Sequence, residues 1–382
     1  MAAPPSALPL PAMKVARRLR RLAETLDQEG DGADSLAGLD GLVISSLTNI
    51  RYLTGFTGSA GLLLLLGGEA TLITDGRYGR QAGEELADAG VEVSITIGPG
   101  SEQGTLADAA VRRAGAKRLG LEAAHVSWAT QRRYAGEWFN ATELVATVGL
   151  VEGLRRTKDP GELARIGRAA AIADRAFAQV RPMLDEGPSE SEVALELDAT
   201  MRRLGASGPS FETIVAAGPN AAMPHHRPTG RRVGRGEPVV VDFGARVGGY
   251  ASDMTRTVWV DGIDDDQLRR AVHVVTAAQS AGVDALSSGV QAAAIDQACR
   301  EVIAEAGWAE RFVHGTGHGV GLDIHEAPSV SSTSTDILAA GHVVTVEPGV
   351  YLPGLGGVRI EDTVVVTDHG CEPLTLTPKD LC

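Results

Sequence analysis

Cysteine is nearly missing: Cys299, Cys371 and Cys382 are the three in 382 residues. Three thiols with no C-x-x-C spacing make no disulfide framework, so they read as buried or incidental thiols of a reducing cytoplasm. Lysine is scarce too, at positions 14, 117, 158 and 379, and the formal net charge is −14. So acidic a chain is poorly suited to nucleic acid or to an anionic membrane. No long apolar run occurs; Leu62–Leu66 is the most hydrophobic stretch, too short for a bilayer and better read as a buried strand. The opening M-A-A-P-P-S-A-L-P-L-P-A-M lacks a basic n-region and is too rich in proline for a signal peptide. Residues 1–13 are therefore expected to be a disordered leader, and the cytoplasm is the expected location.

Familiar catalytic signatures are absent as well. H-E-A-P-S stops short of H-E-x-x-H, which removes a zincin. There is no G-x-x-x-x-G-K-[ST] phosphate loop and no G-x-S-x-G elbow.

What remains is a globular composition, 43% hydrophobic with a mean hydropathy of +0.00, on a chain long enough for two domains. Residues 14–150 alternate short apolar runs with amphipathic stretches, which predicts an α/β domain. Strands are expected at 41–45, 62–66, 70–74, 91–97 and 118–121, and helices at 15–28, 78–89, 106–114 and 130–138. The loops N-I-R-Y-L-T-G-F-T-G-S-A-G and T-D-G-R-Y read as turn chemistry, with a cleft wall as the alternative. Residues 151–159 read as a linker. Beyond it, Asp159-Pro160-Gly161-Glu162 and Ser189-Glu190-Ser191-Glu192 each look like a helix start with a capping box, opening helices to about residues 184 and 204. A strand at 212–217, a loop G-P-N-A-A-M-P-H-H-R-P and a hairpin at 238–260 follow. Helices at 266–287 and 291–306, a histidine-rich loop and further strands then repeat that order.

The repeat carries the chemistry. Asp242 and Asp253 lie in the first hairpin, and Glu347 and Glu361 lie at matching places in the second half. A two-residue turn at Gly248-Gly249 pairs Asp242 with Thr255; a loop centred on Val247-Gly248 would pair the aspartates directly. Either way both carboxylates face one side of the sheet. Such Asp residues alone would pass for solvated hairpin positions. Four acids beside His314, His318 and His325, which fall within twelve positions of one another, need cations instead, because unpaired buried charge is costly. Two divalent ions would satisfy the set. The oxygen-rich donors favour Mn²⁺, with Co²⁺, Fe²⁺ or Zn²⁺ as alternatives.

In order and type, Asp242, Asp253, His318, Glu347 and Glu361, with H-G-T-G-H-G-V-G-L-D-I-H-E and V-E-P-G-V-Y, resemble the M24 pita-bread metallopeptidases, in their Xaa-Pro branch of aminopeptidase P and prolidase. The resemblance covers nearly the whole chain. It implies an α/β N-terminal creatinase-like domain at 14–150 and an α+β pita-bread catalytic domain with an internal pseudo-twofold repeat at 160–382. It further implies that Asp242 binds one metal, that His318 and Glu347 bind the other, and that Asp253 and Glu361 bridge them. The nucleophile would be a hydroxide held between the ions, with Glu347 as general base. His225 and His325 match the family histidines that contact substrate and steady the tetrahedral intermediate, and His314 the one lining the proline pocket. Arg359 matches the arginine that hydrogen-bonds a metal-bound aspartate. His226 has only proximity in its favour, and His125, His273, His342 and His369 read as structural or solvated.

The activity so implied is removal of the N-terminal residue from peptides with proline second. A prolidase restricted to dipeptides is the alternative, and a non-catalytic binding member of the fold is disfavoured by the intact ligand set. A homodimer is the expected assembly.

Overall fold

The apolar runs before residue 150 assemble into one mixed sheet of six strands. In spatial order they are Ser94–Ile97, Glu69–Thr74, Leu62–Leu66, Gly41–Ile44, Arg118–Glu122 and Glu143–Thr147. Leu62–Leu66 lies antiparallel between Gly41–Ile44 and Glu69–Thr74 and is buried along its whole length. The computed structural model describes residues 9–27 and 38–379. Residues 1–8 of the expected leader, and Gln28 at the end of the first expected helix, lie outside these. The chain divides into two compact units, a smaller one of residues 12–155 and a larger one that holds residue 156 onwards together with the described residues before 12.

Three elements of the smaller unit depart from expectation. The first polar loop is in part a helix, Leu47–Thr54, capped by the Ser46 side chain and closed by Gly55 at φ 83°. Its polar character misled because Asn49 is wholly buried. There it donates to Glu122 Oε1 and Glu152 Oε1, both at 2.7 Å, and accepts from Arg155 Nη1 at 2.9 Å. Glu143–Thr147, absent from the expected strands, is an edge strand parallel to Arg118–Glu122 whose short L-V-A run is half-buried or exposed. Much of the expected linker, finally, is the helix Leu150–Arg155. The second polar loop, around Asp75, is a turn in which Asp75 Oδ1 accepts from the Arg77 N–H at 2.9 Å.

The larger unit is built from two similar halves. Both capping boxes form, starting the helices Pro160–Val180 and Glu190–Arg203. These pack on an antiparallel sheet of Met254–Trp259, Pro238–Phe243 and Ile214–Ala217. The second half repeats the plan with helices Asp266–Asp284 and Ala292–Glu305. They pack on a five-stranded sheet whose central members are Gly317–Gly319, Val343–Val346 and Asp362–Thr367. In each half a helix pair buries one face of a sheet, leaving the carboxylate-bearing strand ends for the other side. No helix among the described residues is long and apolar enough to cross a membrane.

Candidate metal centre

The first acidic pair comes from the hairpin. Its turn is Gly248-Gly249, at φ 56° and 89°, the left-handed backbone that a two-residue hairpin needs. The register pairs Asp242 with Thr255, the first of the two geometries open to the sequence. Asp253 precedes the strand Met254–Trp259, so both aspartates reach the same cavity.

The second half supplies the remaining candidates. Glu347 follows the strand Val343–Val346. Glu361 sits in a break between the strands Gly356–Arg359 and Asp362–Thr367. The interruption has a partner: the Glu361 N–H donates to Thr255 O at 3.1 Å, so its backbone bonds across to the first half. His318 lies on Gly317–Gly319. A Cβ at Gly317 would stand 2.0 Å from Thr345 O, so only glycine lets this strand approach its neighbour closely.

All five expected ligands line one cavity of about 550 Å³, together with His225, His314, His325 and Arg359. His318 Nδ1–H donates to Gly319 O at 3.0 Å; a carbonyl can only accept, which fixes the tautomer and leaves the Nε2 lone pair free. That lone pair faces Asp253 Oδ2 at 3.5 Å and Glu347 Oε1 at 3.6 Å. Ligand atoms of Asp253, His318 and Glu361 all fall within 4.8 Å of one another. Facing acceptors at such distances repel unless a cation joins them.

The electrostatics agree. Asp242 Oδ1, Asp253 Oδ1 and Glu361 Oε1 are buried and find no hydrogen-bond partner among the described residues, where nearly all buried polar atoms in proteins have one. Burial pushes Asp253 and Glu361 well above the usual carboxylate range, and neighbouring carboxylates push them further. Burial raises Glu347 to about 8 against the pull of Arg359. Burial also drops His318 to about 4, which keeps it neutral and able to ligate. The residues present thus fit a hard divalent metal, since carboxylate oxygens with one imidazole and no thiolate are the donors such ions take.

Arg359 organises the cluster. It donates from Nη2 to Asp242 Oδ2 at 2.6 Å, from Nε to Thr255 Oγ1 at 3.1 Å, and from Nη1 to Tyr351 O–H at 3.0 Å and Pro224 O at 3.1 Å. Thr255 Oγ1 in turn donates to Glu361 Oε2 at 2.7 Å. Tyr351 also donates to His314 Nε2 at 2.7 Å, while His314 Nδ1–H is held by Gly315 O at 2.8 Å. Burial, then the charge of Arg359, lowers His314 to about 4. Tyr351 and Thr255 are the positions that sequence reasoning missed. Both lay in stretches already singled out, but a tyrosine or threonine beside carboxylates carries no spacing signal of its own.

His325 is exposed and stands edge-on to His318, ring centroids 4.3 Å apart at 72°. His225 is exposed at the cavity, whereas His226 turns inward and donates from Nε2 to Glu190 Oε2 at 2.9 Å. His125, His273 and His369 are exposed; His342 is buried and accepts from the Ala339 N–H at 3.3 Å. None of these four lines the cavity.

Comparison with known proteins gives this geometry a family. Residues 164–368 match metallopeptidase family M24, and residues 18–157 match the creatinase/prolidase N-terminal domain. An uncharacterized peptidase of Bacillus subtilis (strain 168), YqhT, is 44% identical over 90% of this chain and 96% of its own length. Among solved structures, an Xaa-Pro dipeptidase from Bacillus anthracis superposes with a TM-score of 0.89 at 37% identity, covering 96% of this chain and 99% of that one. An X-Pro aminopeptidase from Thermotoga maritima MSB8 reaches 0.82 at 35% identity, over 90% and 97% respectively. The expected architecture, a creatinase-like domain before a pita-bread domain, is the one these relatives share. The chain belongs to metallopeptidase family M24, in the group that carries a creatinase/prolidase N-terminal domain.

Proposed function

We propose that this protein is a hydrolase using two divalent ions to remove the N-terminal residue from peptides with proline in second position. The observation that supports it most is the cluster of five candidate ligands with three unpartnered buried carboxylate oxygens around one cavity. Asp242, Asp253, His318, Glu347 and Glu361 would together hold the ions. When bound, the ions, most suitably Mn²⁺, supply charge that polarises the scissile carbonyl and acidifies a water. Glu347 accepts the proton of that water and passes it towards the departing proline nitrogen. The scissile Xaa-Pro bond has no N–H to grip, so the substrate would be held there by its carbonyl and its ring. His314, fixed by Tyr351 and Gly315, walls the place of the ring. His225 and His325, both exposed at the cavity, would donate to the developing oxyanion.

The guanidinium and ammonium groups among the described lining residues are Arg227 and Arg359. Arg359 is spent on Asp242, and the Arg227 side chain is 83% exposed, 3.7 Å from Glu212. Neither is a buried, uncommitted cation for the carboxylate of a dipeptide, which favours longer peptides. Likeness to the B. anthracis Xaa-Pro dipeptidase favours the second reading, a prolidase. Turnover of Xaa-Pro against Xaa-Pro-Yaa-Zaa, after chelation and reloading with Mn²⁺, Co²⁺ or Zn²⁺ in turn, tests both. The longer peptide should be cleaved at least as well. Activity confined to the dipeptide reverses the length preference, and hydrolysis of neither with any ion overturns the hydrolase reading.

A further inference from the structure

Glu190 opens the second capping-box helix, and it is wholly buried. Capping does not account for that burial, because the cap is Ser189 paired with Glu192. Its carboxylate instead gathers five donors. Oε1 accepts from the Ala217 N–H and from Asn220 Nδ2, both at 2.8 Å. Oε2 accepts from His226 Nε2 and the Thr229 N–H, both at 2.9 Å, and from Thr229 Oγ1 at 2.6 Å. Every donor belongs to residues 217–229, the segment that leaves the strand Ile214–Ala217 and carries His225. Burial alone would raise the pKa of Glu190, but the donors from Ala217, Thr229, Asn220 and His226 together lower it, so the group is a fixed anion.

The segment has a second anchor. Arg359, which holds Asp242, also donates to Pro224 O. His225 is therefore suspended between two tethers on adjacent residues. Pro224 is tied to the arginine of the carboxylate cluster. His226, its side chain 9% exposed, is tied to Glu190. Both neighbouring histidines line the cavity, but His225 is exposed there while His226 commits its Nε2 to Glu190.

We propose that Glu190, acting through His226, is a positioning residue for His225, holding that imidazole over the carboxylate cluster while a peptide is cleaved. This rests on the peptidase reading above. Losing the His226–Glu190 bond frees residues 224–228 to shift, and a displacement of about 1 Å can cost up to about 100-fold in rate. The loss should fall on kcat, because the partners of Glu190 all lie on the loop and none is a candidate metal ligand.

The test uses the Mn²⁺-loaded full chain on an Xaa-Pro peptide. His226→Leu keeps bulk and removes the donor; His226→Gln supplies an amide donor in its place. In both, Glu190 retains its other four donors, so folding should survive, and a thermal midpoint checks it. We expect His226→Leu to lower kcat roughly tenfold with KM within about twofold, and His226→Gln to stay within about threefold of wild type. In a His225→Ala background His226→Leu should change kcat by less than about twofold, because the residue it positions is gone. In metal-free protein, amide exchange across residues 225–229 should quicken in His226→Leu and not in His226→Gln. An active wild type in which His226→Leu keeps full kcat, or loses tenfold even without His225, overturns the positioning role alone. A wild type that cleaves no such peptide overturns both it and the peptidase reading.

Discussion

Glu190 and Glu361 are equally buried and have opposite surroundings. Glu190 has five donors from its own chain and a lowered pKa. Glu361 receives one hydroxyl, from Thr255, keeps an unpartnered oxygen, and is pushed up by burial and by Glu347 and Asp242. The protein can therefore satisfy a buried carboxylate where it needs a strut, and does not do so at the candidate metal centre. Burial alone does not mark a functional acid; burial without donors does.

The sharpest way to break this contrast is to neutralise one acid of each kind. Asp253→Asn removes a carboxylate whose Oδ1 has no partner and which faces His318. Peptide hydrolysis should fall by roughly 10³-fold or more, several kcal/mol of lost charge stabilisation at about 1.4 kcal/mol per tenfold. Yet near pH 7 the metal-free variant should melt higher than metal-free wild type, because it replaces a group whose charged form burial and its neighbours disfavour with a neutral amide. Glu190→Gln should do the reverse to stability, since an amide cannot accept from five donors and unsatisfied buried groups cost about 1–3 kcal/mol. Circular dichroism melts with excess chelator, beside a peptidase assay with Mn²⁺, read both. Near-wild-type rates in Asp253→Asn would remove the bridging role, and a lower metal-free midpoint would remove the repulsion argument.

Arg359→Lys is a gentler probe of the same division. Lysine keeps the charge beside Asp242 but not the planar fan that reaches Thr255, Tyr351, Pro224 and Asp242 together. Loss of such orienting partners costs roughly 10–100-fold in metal affinity or activity. The expected signature is a higher Mn²⁺ concentration for half-maximal activity, measured by titrating chelated enzyme. An unchanged titration curve would make Arg359 a bystander.

The same contrast explains what the sequence could disclose. Both capping boxes and the glycine turn were legible because each is local chemistry, and the turn narrowed the hairpin to two registers, of which the Asp242–Thr255 pairing formed. Legible too was the convergence of the four acids and His318 on one cavity, since their repeat in the two halves is visible along the chain. The interruption between strands at Glu361 was not, because there the Glu361 N–H bonds to Thr255 O on the other half. Nor was the helix Leu47–Thr54, whose buried Asn49 is satisfied by Glu122, Glu152 and Arg155 from far along the chain. Glu190 looked like an ordinary first-turn acid and His226 like a spectator. Only the folded loop shows that the two are partners.

The smallest predicted effect is a slope, and it separates the two kinds of acid without any assay of activity. Glu347 is raised by burial from an ordinary 4.5 to about 8 in the metal-free protein. The unfolded chain therefore releases its proton first as pH rises, so stability is fullest below about pH 4.5 and is lost towards pH 8. Asp253 and Glu361, also raised, add slope of the same sign. Glu190 is lowered instead, so its contribution is complete above its unfolded value and declines only in stronger acid. Between pH 5 and 8 the chelated wild type should thus melt progressively lower. Asp253→Asn should flatten that decline, Glu190→Gln should shift the curve down without changing its slope, and saturating Mn²⁺ should flatten or reverse it. A chelated midpoint that stays level from pH 5 to 8 would mean that the clustered carboxylates are not raised, and the distinction between strut and ligand would lose its electrostatic basis.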